Sequence, residues 1–267
     1  MKENQTLADM TYCIPVSAIG SYRHQQVIIR AADPSDFAEY LTGPLPERTD
    51  YLRITSLAGD PGPLAGLPPS IAVDLVIRDT ASETHRLYDY ASQLRQRPLR
   101  VSVPAEPGFS GAVRLAASLA LPVRLDIVQP DADVTEELGR VLHDYLHQTT
   151  VTQPVEFFHS LLFAFYHRTP LTLWEIQEED PRRYRHIADS GEESDPGRLR
   201  SLRADAFPPE QAGECLGCRF FSHCAGFFKH PDPDFSCAGV LSLLDTLRAA
   251  AEEIREDMAR FGGTVSP

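Results

Sequence analysis

The apolar residues of this chain keep two different periods, in alternation. Between residues 26 and 128 the short runs "QVIIR" (26–30), "YLRITSL" (51–57), "SIAVDLVIR" (70–78), "LRVSVP" (99–104) and "PVRLDIV" (122–128) are rich in Val, Ile and Leu and predict five strands. Helical spacing falls between them. "DPSDFAEYL" opens on Asp33 as a cap with Pro34 at the first helical position. "ASETHRLYDYASQLRQ" places Leu87, Tyr90, Ala91 and Leu94 on one face, "SGAVRLAASLA" predicts a third helix, and "DVTEELGRVLHDYLHQ" aligns Leu138, Val141, Leu142 and Tyr145. Strands alternating with helices across short loops imply parallel pairing and right-handed crossovers. The strands read as apolar on both faces or nearly so, the pattern of a sheet covered by helices. Five strands are too few for a closed eight-stranded barrel. The expected fold class is α/β, either an incomplete, partial TIM-like barrel or an open parallel sheet.

Past Thr150 the pattern changes. "PVEFFHSLLFAFYHR" predicts a helix with a wide apolar face of Phe158, Leu161, Leu162 and Phe165, on which His159 and His167 read as core or rim residues. "TLWEIQ" reads as a short strand or turn, and "YRHIADSGEES" as a hairpin around Asp189, Ser190 and Gly191. A polar linker, residues 193 to 213, leads to the cysteines. The tail "GVLSLLDTLRAAAEEIREDMARF" predicts a long helix striped with Leu241, Leu244, Leu247, Ala251, Ile254 and Met258. The expected division is an α/β partial-barrel domain over 1–183 and a cysteine module with its terminal helix over 184–267.

Charge narrows the partners. The 267 residues carry 25 basic and 38 acidic side chains, a formal net charge of −13. Such a surface repels nucleic-acid phosphates and anionic lipid, so neither is expected as a main partner. The basic groups "RQRPLR" and Arg182, Arg183, Arg185 read as solvated charges. The start has no basic segment followed by an apolar one, and no apolar run approaches the roughly 20 residues that span a bilayer. A cytoplasmic protein is expected.

Four of the five cysteines lie in "GECLGCRFFSHCAGFFKHPDPDFSCAG", spaced C-x2-C-x5-C-x12-C: Cys215, Cys218, Cys224 and Cys237. In a reducing compartment clustered cysteines point to metal more than to disulfides. Four thiolates suit zinc, held tetrahedrally at about 2.3 Å, or the four corner irons of a [4Fe–4S] cluster. Structural zinc sites tend to use two C-x2-C knuckles, and only one is present, which favours the cluster. Gly217 and Gly226 stand where a tight wrap needs positive φ or a close N–H. Phe220, Phe221, Phe227 and Phe228 suit either a cluster's shield or a small module's core.

This stretch resembles the C-terminal SPASM module of radical SAM enzymes that modify peptides and proteins. The family's core is C-x2-C-x5-C-x3-C followed by a further cysteine. The resemblance implies that Cys215, Cys218, Cys224 and Cys237 hold the second auxiliary [4Fe–4S] cluster. The x3 position is Phe228, and no cysteine flanks Gly191, where the family carries ligands of its first auxiliary cluster. That whole ligand set is absent. The resemblance is specific over about residues 184 to 245.

A radical SAM enzyme also needs C-x3-C-x2-C after its first strand to bind and cleave S-adenosylmethionine. The only other cysteine is Cys13, with Ser17 and Gly20 at the spaced positions, and it precedes the first clear strand; it reads as a small buried hydrophobe. "SLAGDPGPL" after the second strand is faintly similar to the family's Gly-Gly-Glu-Pro element through Gly59, Asp60 and Pro61. S-adenosylmethionine is therefore not expected as a cofactor. No dinucleotide-binding, phosphate-loop, zinc-protease or serine-hydrolase motif is present. His143 and His147, at i and i+4, form at most half a metal site, and Asp79, Glu106, Asp126 and Asp131 could line a barrel mouth. The expectation is an iron–sulfur protein without its SAM-cleaving cluster, a binding or redox partner subunit in peptide modification or cofactor maturation, docking through apolar surface on the incomplete barrel. The alternative is an α/β enzyme of non-radical chemistry whose four cysteines are a structural staple of cluster or zinc.

Overall fold

The computed structural model describes residues 10–40, 43–91, 97–194 and 213–261. Eight parallel strands form one sheet that curls into a half-barrel: β1 (Thr11–Pro15), β2 (Gln26–Ala31), β3 (Thr49–Ile54), β4 (Ala72–Val76), β5 (Leu99–Pro104), β6 (Val123–Asp126), β7 (Val155–Glu156) and β8 (Tyr184–His186). Their order is β7-β6-β5-β4-β3-β2-β1-β8. Each strand from β1 to β7 lies beside its predecessor, and β8 returns to the free edge of β1.

The five expected strands are β2 to β6. The other three lack the Val/Ile signal. β1 ends at Pro15 and runs straight into a 3-10 turn, Val16–Ser21. β7 has two residues, and β8, "YRH", has no buried side chain. β8 lies at the start of the expected cysteine module and pairs with β1 from Thr11↔Tyr184 to Cys13↔His186. The hairpin around Gly191 is present just beyond it, with an Ile187↔Glu193 bridge and φ of 85° at Gly191.

The helices are α1 (Pro34–Tyr40), α2 (Thr80–Glu83), α3 (Leu87–Tyr90), α4 (Phe109–Ser118), α5 (Ala132–His147), α6 (Phe158–His167), α7 (Leu173–Ile176), α8 (Phe221–Cys224) and α9 (Ala238–Phe261). The helix expected over 81–96 is broken into the turns α2 and α3, though Leu87 and Tyr90 are buried as its stripe required; Leu94 lies outside the described residues. "TLWEIQ" is helical, not extended, because Thr172 and Glu175 cap each other's backbone N–H groups in a capping box. The linker from 195 to 212 lies outside the described residues. Along α9 Leu241 is half-buried and Leu244, Leu247 and Ala251 are buried, while Ile254 and Met258 emerge into solvent.

The two faces of the sheet differ. Leu52, Ile54, Val73, Leu75, Val101, Val103, Val123 and Leu125 point outward and are essentially inaccessible, in one core with Phe37, Phe109 and Leu138 of the helices. The positions between them are Tyr51, Arg53, Asp74, Arg100, Ser102, Arg124 and Asp126. Helices cover the convex face, so for β3 to β6 the expectation of strands apolar on both faces is corrected to an alternation of apolar and polar positions, while β2 buries Val27, Ile28 and Ile29 in succession. Among the described residues no helix is long and apolar enough to cross a membrane.

Candidate functional site: a four-cysteine pocket beside a buried ionic cluster

The segment after Gly213 is too short to build a core of its own. It wraps through a 3-10 turn (Gly213–Cys215), α8, a second 3-10 turn (Phe227–Lys229) and the start of α9. Gly217 and Gly226 adopt positive φ, 77° and 75°, as their place in the wrap required, and Ala225 does so at 47° without a glycine's freedom. Phe220, Phe227 and Phe228 are buried. Cys215, Cys218, Cys224 and Cys237 all line one small pocket together with Phe220 and Phe228, with about 30 Å³ of free space. None is in a disulfide.

Polar groups surround this pocket. The sulfur of Cys224 faces the backbone N–H groups of Gly226, Phe227 and Phe228. Glu214 accepts from the Cys237 backbone N–H at 3.2 Å and from Lys229 Nζ at 3.1 Å, joining the two ends of the wrap. Lys229 lines the same pocket, and its charge acts on Cys237 and Cys215. Burial pushes the Cys237 thiol up to about 11 against the pull of Lys229, and it raises Cys224 as well. The donor set is four thiols in an apolar, N–H-lined hollow, which suits a thiolate-bound metal group. Among the described residues no three His, Cys, Asp or Glu side chains come close enough to hold a single ion. The sulfurs stand around the pocket walls and do not meet at a point.

The module is tied to the barrel next to the end of β6. Gln129 donates to Phe228 O at 2.9 Å and Asp232 O at 2.7 Å. Trp174 of α7 donates its indole N–H to Ala225 O at 2.9 Å.

A second constellation, which the sequence reading did not identify, occupies the concave face. Glu178, in the loop after α7 at φ 58°, accepts from Tyr51 Oη at 2.6 Å, Arg53 Nη2 at 2.7 Å and Arg124 Nη1 at 2.7 Å, with Arg100 at 3.5 Å. Asp74 accepts from Arg53 Nε at 3.0 Å, Arg100 Nη2 at 3.0 Å and Ser102 Oγ at 2.8 Å. The Arg100 guanidinium lies 4.5 Å from the centre of the Tyr51 ring. Arg124 also donates to Gln177 O at 2.8 Å, and Gln177 donates to Leu125 O at 3.0 Å.

Burial alone would raise the Glu178 carboxyl, but Arg124, Arg53 and Arg100 hold it well below the usual carboxylate range. Asp74 is lowered in the same way by Arg53 and Arg100. Burial raises the Tyr51 hydroxyl and Asp126 and lowers His186. The concave face is thus charged, with residues 177 and 178 lying against its centre. Arg97 and Arg100 of "RQRPLR" are not solvated: Arg97 is buried and caps the carbonyl of Leu64, and Arg100 belongs to the cluster. Arg182 binds the buried Asp180 at 2.7 Å.

Of the four candidate mouth carboxylates, Asp126 alone reaches the ionic cluster, its side chain 39 % exposed and 3.3 Å from Arg124. Asp79 caps α2, Asp131 caps α5, and Glu106 lies in the turn before α4. Cys13 is buried in the middle of β1, and Ser17 and Gly20 lie exposed in the turn after it. Gly59, Asp60 and Pro61 follow the third strand, where the family element would follow the second. His143 and His147 touch on the exposed side of α5, with ring centres 4.7 Å apart. Comparison with protein families, curated proteins and solved structures returns no match to this chain.

Proposed function

We propose that Cys215, Cys218, Cys224 and Cys237 bind one [4Fe–4S] cluster, and that the chain is a radical-SAM-like protein acting as a binding or redox partner subunit in peptide modification or cofactor maturation. The observation that carries this reading is the single pocket lined by all four cysteines, with three backbone N–H groups turned toward one sulfur. Such N–H groups stabilise thiolates and adjust a cluster's potential. When bound, the cluster supplies one-electron chemistry or a structural staple, since four protein thiolates leave no open iron. The chain's own residues hold the thiolates, place Lys229 beside them and exclude water with Phe220 and Phe228. Cys13 is one thiol in the middle of a strand, so a SAM-cleaving triad would have to come from another subunit.

Protein purified without oxygen should be brown, absorb near 400 nm and carry about four irons per chain. A colourless protein holding one zinc would replace the cluster with the zinc staple. A second reading, an α/β enzyme, draws on the concave face, where Glu178, Asp74, Asp126, Tyr51 and His186 all titrate away from their ordinary values. Turnover of a small substrate by the chain alone, lost in Asp126→Asn with metal content unchanged, would favour it.

A further inference from the structure

We infer that α7 couples the cysteine pocket to the ionic cluster, so that metal held at the cysteines is felt at Glu178. The inference rests on the reading that the cysteines hold metal. Trp174, fully buried, grips the turn after Cys224 at two points: its N–H bonds Ala225 O at 2.9 Å, and its ring stands edge-on to Phe227 at 5.0 Å. That turn carries the N–H groups facing the Cys224 sulfur. Four residues beyond Trp174, Glu178 sits in the grip of Tyr51, Arg53 and Arg124.

Little slack lies between these ends. The capping box makes α7 a single stiff turn, and Gln177 is bonded to the barrel through both its carbonyl and its side chain. Both ends are also held in the left-handed region by residues other than glycine, Ala225 at 47° and Glu178 at 58°. Such conformations persist only where the surroundings impose them. The free space among the cysteines is small, about 30 Å³, and among the described residues no three ligating side chains come close enough to hold one ion. A single ion must therefore draw the cysteines together, and the turn that Trp174 holds moves with Cys224.

Coupling of this kind is reciprocal: whatever loosens Glu178 must weaken metal binding by the same factor that metal strengthens the Glu178 contacts. The full chain is loaded anaerobically with zinc alone, or with ferrous iron and sulfide, and hydrogen exchange and metal release to a chelator are followed. Residues 172–180 are expected to exchange faster once metal is removed. Glu178→Gln, and the milder Tyr51→Phe, are expected to bind zinc at least about five-fold more weakly than wild type. Glu136→Gln on the exposed side of α5 should bind it as wild type does.

Unchanged exchange at 172–180, with wild-type affinity in both Glu178→Gln and Tyr51→Phe, overturns the coupling while leaving a metal-binding pocket in place. Zinc retained where iron and sulfide are not overturns the cluster and still judges the coupling. A chain that retains neither, and whose metal content matches that of Cys224→Ser, overturns both.

Discussion

The cysteine pocket and the ionic cluster are neighbours through α7, but they are assembled in opposite ways. The pocket is local. Its ligands fall between residues 215 and 237, and its shape comes from turns, two glycines at positive φ and three buried phenylalanines. The cluster is non-local. Tyr51, Arg53, Asp74, Arg100, Arg124 and Glu178 come from four strands and a loop, and they meet only after the sheet has curled. A local site can be emptied without unfolding its scaffold. A cluster of buried charges cannot lose a member without leaving its partners uncompensated. The two regions should therefore fail differently, one in cofactor content and the other in stability.

The largest expected effect separates them directly. Glu178→Ala leaves three guanidinium groups without their shared carboxylate and should cost about 3–5 kcal/mol in denaturant unfolding. Cys224→Ser should abolish metal retention and quicken exchange at residues 172–180 while the sheet stays folded, with hydrogen exchange in β2 at the wild-type level. If Cys224→Ser instead unfolds the strands, or Glu178→Ala leaves the unfolding midpoint in place, the contrast between the regions is lost.

The next effect is on pH dependence. The Glu178 carboxyl lies well below its unfolded value of about 4.3. Its contribution to stability is complete above that value and is lost progressively as the pH falls toward the folded pKa, because the unfolded state then binds the proton more readily. Asp126, raised by burial though its side chain is 39 % exposed, works in the opposite sense, and solvent screening leaves it only a small offset to the loss. Between pH 6 and pH 3 the melting temperature of wild type should therefore fall further than that of Glu178→Gln. Equal falls would mean that the arginines do not hold this carboxylate.

The same contrast explains what the sequence disclosed. The pocket was legible because cysteine is rare here and its spacing is its own signal. Strands β2 to β6 were legible from runs of Val, Ile and Leu. β7 and β8 were not, since two or three residues carry no period. α7 had a readable mark, Thr172-x-x-Glu175, but four residues of helix are too few for the apolar period to appear. The charged face was half-written: "YLRI", "VDL", "LRVSV" and "VRLD" alternate strictly, which predicts one polar face. Nothing in the sequence tells that Glu178, 125 residues from Arg53, completes it. A loop carboxylate has no period, and its partners are chosen by the fold.

The smallest expected effect tests whether the metal-binding signal belongs to the cysteines alone. His143 and His147 sit one turn apart near the end of α5, with rings in contact and both exposed. Two imidazoles at this spacing can collect a divalent ion from solution without any built site, and metal analysis of wild-type protein would count that ion together with the cysteine-bound group. The double variant His143→Ala/His147→Ala should change stability by less than about 1 kcal/mol, since both side chains are exposed and His147, in the last turn of α5, loses only a weak interaction with the helix C-terminus. The metal that survives exhaustive dialysis should remain at the wild-type level. If it falls, and Cys224→Ser does not lower it, the metal site moves from the wrap after Gly213 to the surface of α5. The pocket would then be a small apolar core that happens to contain thiols.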